Sequence, residues 1–274
     1  MYWMFNECSS LINLDLSNFN TNNVINMERI FYNCSSLTSL NLSNFDTSNL
    51  TSTKNMFTNC SSLKSIDVSS FDTSNVINMQ EMFSKCNSLI SLNLSNFDTS
   101  NVTNMQGMFS ICGSLTTLDF KSFNTSNVTN MSWMFQACEH LKEINFGETF
   151  YTDKVTNMYY MFQRCSNLNY LDLSNFSTSN VTNMNGMFNQ SGIISLDLSN
   201  FDTSNVKNMA NMFSFCGKLT SLDLSNFDTS NVTNMTGMFN NVPTNIKITT
   251  NTTTKDWILA NFTNIKESNI TVVD

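Results

Sequence analysis

Proline is almost missing from this chain: one residue in 274. Glycine is scarce too, at seven, and there is a single histidine. So few glycines leave no glycine-rich phosphate loop, and His140 has no recognisable triad partners, so no enzyme signature is present. Charge is also thin. Asp, Glu, Lys and Arg make only 12 % of the residues, and 13 basic against 21 acidic side chains leave a net charge of −8. Nucleic acid and anionic membranes both call for a basic footprint, which this composition lacks. No apolar run approaches the roughly 18 residues of a membrane span. Met1-Tyr2-Trp3 opens without the basic start and apolar stretch of a signal peptide. These absences leave a cytosolic protein or a piece of a larger exported one. Eight cysteines are present but no CxxC, which argues against a metal centre, and nothing implies a cofactor.

What the chain has is 41 % hydrophobic residues, enough to bury a core. It also has a recurring phrase. LSNFDTSNVTNM runs from Leu94 to Met105 and again, unchanged, from Leu224 to Met235. A marker phenylalanine in a phrase like MFxxCxSL falls at positions 5, 31, 57, 83, 109, 135, 162, 188, 213 and 239. The steps are 26 residues, except 27 after Phe135 and 25 after Phe188. In the unit from Val76, the apolar residues Val76, Met79, Met82, Phe83, Cys86 and Leu89 are spaced 3, 3, 1, 3 and 3, a helical stripe or a set of helical turns. From Leu92 the spacing falls to 2, as in a strand. Each unit is therefore expected to hold a short helix or helical turn, then a strand, then a Ser-Asn-Phe-Asp turn. Stacked, such units make an α/β repeat solenoid with a parallel sheet along one face, each unit touching only its neighbours. The cysteines share one repeat position on the apolar stripe and are expected to form a buried column of free thiols. The methionines are expected in the core.

The segment Leu89-x-x-Leu92-x-Leu94 matches the LxxLxL core of leucine-rich repeats. The whole phrase, MFxxCSSLTSLDLSNFDTSNVTN, resembles the 26-residue repeat of BspA-like surface proteins and mycoplasma lipoproteins, over residues 1 to about 242. That resemblance implies a right-handed coil displayed on a cell surface or secreted, with adhesion to a host protein, such as one of the extracellular matrix, as the usual role. The many N-x-S/T sequons lie where units should stack, which suits a bacterial surface better than a glycosylating pathway. The runner-up is a structural spacer with no specific ligand. Thr47, Thr73, Thr99, Thr203 and Thr229 also raise a third reading, a threonine ladder that organises water, although they precede the turn segment rather than lie in the strand.

Strand alternation should point Ser91, Asn93 and Ser95 outward. The central outward column is Asp15, Asn41, Asp67, Asn93, Asp119, Asn145, Asp172, Asp197 and Asp223. Asp alternating with Asn relieves repulsion between stacked carboxylates, while Asp172, Asp197 and Asp223 form an acidic strip for a basic partner segment or a cation. Departures from the phrase cluster between residues 117 and 170. Lys121, Glu143 and Tyr170 replace serine-type residues on the strand face and are the partner-contact candidates, together with the three aspartates. Trp133, Tyr159 and Tyr160 are expected on the opposite, helical side. Residues 243–274, opening at Pro243, are expected to cap the array. Their helix should carry Trp257, Ile258 and Phe262 on one face behind a cap from Thr252 to Thr254. The chain begins within a repeat, and that open end is a candidate for self-association.

Overall fold

The structure is a computed structural model that describes residues 1–273. Its chain winds into parallel coils. The longest thread is a series of parallel bridges through Asn26, Ser52, Asn78, Asn104, Asn130, Asn157, Asn183, Asn208 and Asn234, one residue from each of nine successive coils.

The apolar stripe is built from turns, not helices. In the coil at Val76, the amide of Val76 donates to the Thr73 carbonyl (2.9 Å), Met82 to Met79 (3.2 Å), Cys86 to Phe83 (3.2 Å) and Leu89 to Cys86 (3.1 Å). Each turn closes on its third residue, so the 3, 3, 1, 3, 3 spacing puts turn corners into the core as effectively as it would a helical face. The amides between these turns point to the next coil. Met79 donates to Asn104 O (3.0 Å), Glu81 to Gln106 O (2.8 Å), Phe83 to Met108 O (3.0 Å) and Lys85 to Ser110 O (2.7 Å). A helix would aim all its amides along its own axis and could not make this ladder. The alternation requires two left-handed residues per coil, such as Glu81 (φ 53°) and Lys85 (φ 61°).

Inside the coils, equivalent side chains stack. Ten phenylalanines from Phe5 to Phe239 form one column with near-parallel rings, centroids 5.5–6.1 Å apart. The methionines from Met79 to Met212 in this stripe are fully buried beside them. Cys34, Cys60, Cys86, Cys112, Cys138, Cys165 and Cys216 are buried free thiols, and only Cys8, in the first coil, is exposed. Each buried thiol donates to the phenylalanine carbonyl of the preceding coil, as Cys86 does to Phe57 O (3.1 Å). Where the eighth unit loses its cysteine, Ser191 takes the place and lies 3.5 Å from the Cys216 sulfur. The missing residue follows it. Gly192 absorbs the loss, because a Cβ there would lie 2.1 Å from the Ser166 carbonyl oxygen of the coil below.

The strand face is less regular than its sequence suggests. Instead of one sheet through every coil, the described residues pair in two sheets. β1 (Thr117–Phe120) pairs with β2 (Glu143–Phe146), and β3 (Ser195–Asp197), β4 (Ser221–Leu224), β5 (Lys247–Thr250) and β6 (Ile270–Val272) form the other, all parallel. The strand segments of the early coils run without ladder pairing, so coil cohesion there rests on the turn ladder and the core. Between β5 and β6 lie α1 (Thr252–Asn261) and a short 3-10 turn (Glu267–Asn269). Asn251, not Thr252–Thr254, caps α1, its side chain accepting from the Thr254 amide. Ile258 and Phe262 are buried, with Phe262 just past the helix and edge-on to Phe239 (5.2 Å).

Phe135→Ala is expected to destabilise the fold by about 3–5 kcal/mol, read from urea denaturation, because it opens a gap in the aromatic column. Thiol chemistry gives a second check. Burial pushes the Cys34 and Cys216 thiols up to about 11 and those of Cys86 and Cys138 up to about 12. Folded thiols thus hold their protons where unfolded ones lose them. Their contribution is complete below about pH 9 and is lost as pH rises through the folded values, so denaturation midpoints should fall in strong alkali. A thiol reagent at neutral pH should label Cys8 alone in the native protein and all eight cysteines once unfolded.

Candidate functional site

The outward residues of the strand segments form columns along the axis. The Asp/Asn column is held by one repeated device. The amide two residues on donates to the side-chain Oδ1: Ser17 to Asp15 (2.9 Å), Ser43 to Asn41 (3.0 Å), Ser95 to Asn93 (3.1 Å), Ser174 to Asp172 (2.9 Å), Ser199 to Asp197 (3.0 Å) and Ser225 to Asp223 (2.9 Å). Asn supplies the same acceptor as Asp, so the interchange of the two follows from turn chemistry. Relief of charge repulsion is not needed to explain it. Asp197 and Asp223 are register partners in β3 and β4. Hydrogen bonds from the Ser174 amide and then its hydroxyl hold the Asp172 carboxyl below the usual carboxylate range, and those from the Ser199 hydroxyl and then its amide do so for Asp197. These two carboxylates therefore stay anionic, each with one oxygen turned to a structural task. Among the described residues no group of three or more His, Cys, Asp or Glu is placed to hold a metal ion.

The three contact candidates separate. Glu143 opens β2 opposite Thr117, and Tyr170 holds the equivalent place in the next coil, 68 % exposed. Lys121 lies four residues beyond Thr117, just past β1, so it does not join Glu143 and Tyr170 at one point. It stands 3.9 Å from Asp119, with both side chains well exposed, a pairing that contributes little. Lys121 is instead abreast of Gly147, where a Cβ would meet the Lys121 Cα at 2.7 Å, so this coil contact needs glycine.

Pairing breaks on both sides of β1 and β2, and each break opens a hollow. One, of about 430 Å³, is lined by Leu92, Leu94, Asp119 and Lys121. The other, of about 100 Å³, is lined by Ile144, Phe146, Asp172 and Phe176. Lys121 and Asp172 thus flank the same two-stranded block from opposite sides. These hollows were not foreseeable from the sequence, because every coil carries the same strand pattern whether it pairs or not.

The turn side carries Trp133, Tyr159 and Tyr160, half-buried, with Trp133 edge-on to Tyr159 (5.3 Å) and Tyr159 stacked on Tyr160 (4.1 Å). His140 is exposed, its Nδ1 2.6 Å from the Gly113 carbonyl. The threonine column does not face water. Thr47, Thr73, Thr99 and Thr203 are buried, and each hydroxyl donates to the next coil, as Thr73 does to Asp98 O (2.8 Å). The water-organising reading falls with that burial.

The family described as "Mycoplasma protein of unknown function, DUF285" matches residues 1–110, 54–170 and 140–257. A leucine-rich repeat protein from Bacteroides ovatus is similar in structure, with 15 % sequence identity and a TM-score of 0.43. The match covers 91 % of this chain and 65 % of that one, so this chain spans under two thirds of its length. No curated protein matches the sequence. No helix among the described residues is long and apolar enough to cross a membrane.

If the aspartate column is held by its turns, Asp197→Asn keeps the Ser199 bond and should leave stability nearly unchanged, whereas Asp197→Ala loses it and should cost roughly 0.5–1.5 kcal/mol. Lowered carboxyls stabilise fully above the unfolded value of about 3.9 and lose that contribution as pH falls, so wild type should lose stability relative to Asp197→Asn in acid. Paired urea titrations at neutral and acid pH measure both effects. A large loss in Asp197→Asn at neutral pH would show that charge, not the turn, matters there.

Proposed function

The chain belongs to the DUF285 family, and from that premise we propose that it is a non-enzymatic binding module of a cell-surface or secreted protein, using its strand face as an adhesin. The observation that carries this reading is the broken sheet. A two-stranded block with a hollow on each side carries Glu143 at the start of β2 and Lys121 just past β1, with Tyr170 in the next coil, on the same face as the outward column through Asp172, Asp197 and Asp223. An exposed tyrosine beside a carboxylate, above an acidic strip, suits a protein partner with a basic segment. A host extracellular-matrix protein is the class that fits. Residues 243–274 serve as the closing unit, since Ile246, Ile248, Ile258 and Ile265 bury themselves against the last coil.

Binding to immobilised matrix proteins such as fibronectin tests the adhesin reading. Replacing Lys121, Glu143 and Tyr170 together by Ser, the residue type most coils carry there, should weaken capture at least about tenfold with the fold intact. Capture that is equally strong in the variant would move the contact off this face. No capture of any matrix protein would favour the spacer reading.

A further inference from the structure

The turn side holds a second arrangement that the strand-face reading does not use. A run of amide and hydroxyl side chains crosses four coils. Ser110 Oγ donates to Gln136 Oε1 (3.0 Å), Gln136 Nε2 to Gln163 Oε1 (2.8 Å), Gln163 Nε2 to Asn189 Oδ1 (3.2 Å) and Asn189 Nδ2 to the Ser214 carbonyl (3.1 Å). Equivalent positions in the earlier coils are Asn6, Tyr32, Thr58 and Ser84, and the amides linked from coil to coil lie in this stretch. Two of them, Gln136 and Gln163, line a groove of about 510 Å³ together with Asn87, Gln190 and the apolar Ile111 and Ala137. Arg164 and Glu139 also line it, and they neutralise each other at 2.6 Å.

The aromatic group adjoins these amides through the chain. Gln136 donates its amide to the Trp133 carbonyl (3.1 Å) and Gln163 to that of Tyr160 (3.2 Å). Trp133 (φ 57°) and Tyr160 (φ 54°) occupy a left-handed position that Gly107 and Gly186 fill in the flanking coils. Bulky residues adopt that backbone at a cost, so folding would be served as well by glycine. Gly186 also leaves the Tyr160 ring room. The Tyr160 ring lies where a Cβ on Gly186 would be, 1.9 Å away.

We propose that this groove and its aromatic ridge bind a neutral saccharide chain. Prearranged amides satisfy sugar hydroxyls, aromatic faces and edges cover the C–H faces of the rings, and a groove without net charge favours an uncharged ligand over a basic or acidic one. The site lies on the opposite side from the strand face and stands apart from the adhesin reading.

Ligand-observed NMR with chitotriose and cellotriose as probes tests it on the whole chain. At least one probe should bind with a dissociation constant of about 1 mM or tighter. Trp133→Gly restores the residue of the preceding coil, Gly107, so the thermal midpoint should hold while affinity falls at least about tenfold. Gln163→Ala should weaken binding similarly, and Tyr170→Ser on the strand face should leave it unchanged. Absence of binding by both probes would overturn the proposal. So would binding that survives Trp133→Gly and Gln163→Ala, or binding that Tyr170→Ser abolishes.

Discussion

Everything in this molecule depends on where the backbone amides of the turn segment go. From Met79 to Cys86, alternate amides bond forward to the next coil, and most of those between close a turn within their own. The exception, Gln80, donates to the Asn78 side chain (2.9 Å). No donor in this stretch is left over, which is what burial demands. Proline cannot take part in such a scheme, because it has no amide to give. That is the physical reason a chain of this length carries one, Pro243, and carries it where the last repeat hands over to β5.

The copied phrase is the side-chain half of the same scheme. The asparagine of its Ser-Asn-Phe triplet reaches back to the coil behind, as Asn96 does to Ser69 O (2.7 Å). The threonine that follows reaches forward, and the next asparagine reaches back again, as Asn101 does to Ser74 O (2.7 Å). Valine and methionine fill the core between them. Changing either asparagine or the threonine between them loses a bond to a neighbouring coil, so those letters are repeated with little drift. This also explains why so polar a sequence supports so dry an interior: hydroxyl and amide groups sit at the rim of the core and bond across coils.

Period, core columns and thiol burial were legible because each depends only on recurrence. The conformation of the stripe was not. A three-residue turn and a helix both bring every third or fourth residue inward, and Val76, Met79, Met82 and Phe83 satisfy either. The left-handed residues that separate the two are written as Glu81 and Lys85 in one coil and as Trp133 and Ala137 in another, with no common side chain to betray them. The strand face misled for a related reason. The LxxLxL pattern reports which side chains are buried, and those leucines point inward in paired and unpaired coils alike. Of the proposed contact residues, Glu143 and Tyr170 hold equivalent places in successive coils. Lys121 stood on the right face but at the far end of the strand.

A scaffold whose bonds are made by nearly every letter has few places free to specialise. The strand-face serines and the first left-handed position of each turn are the main ones, since their side chains leave the coil-to-coil bonds alone. The left-handed column shows the freedom: Arg29, Asn55, Glu81, Gly107, Trp133, Tyr160 and Gly186 follow one another with the backbone unchanged. Variation there costs some local strain and leaves the ladder intact. Side chains can therefore vary on two opposite faces independently, because the core columns between them recur from coil to coil.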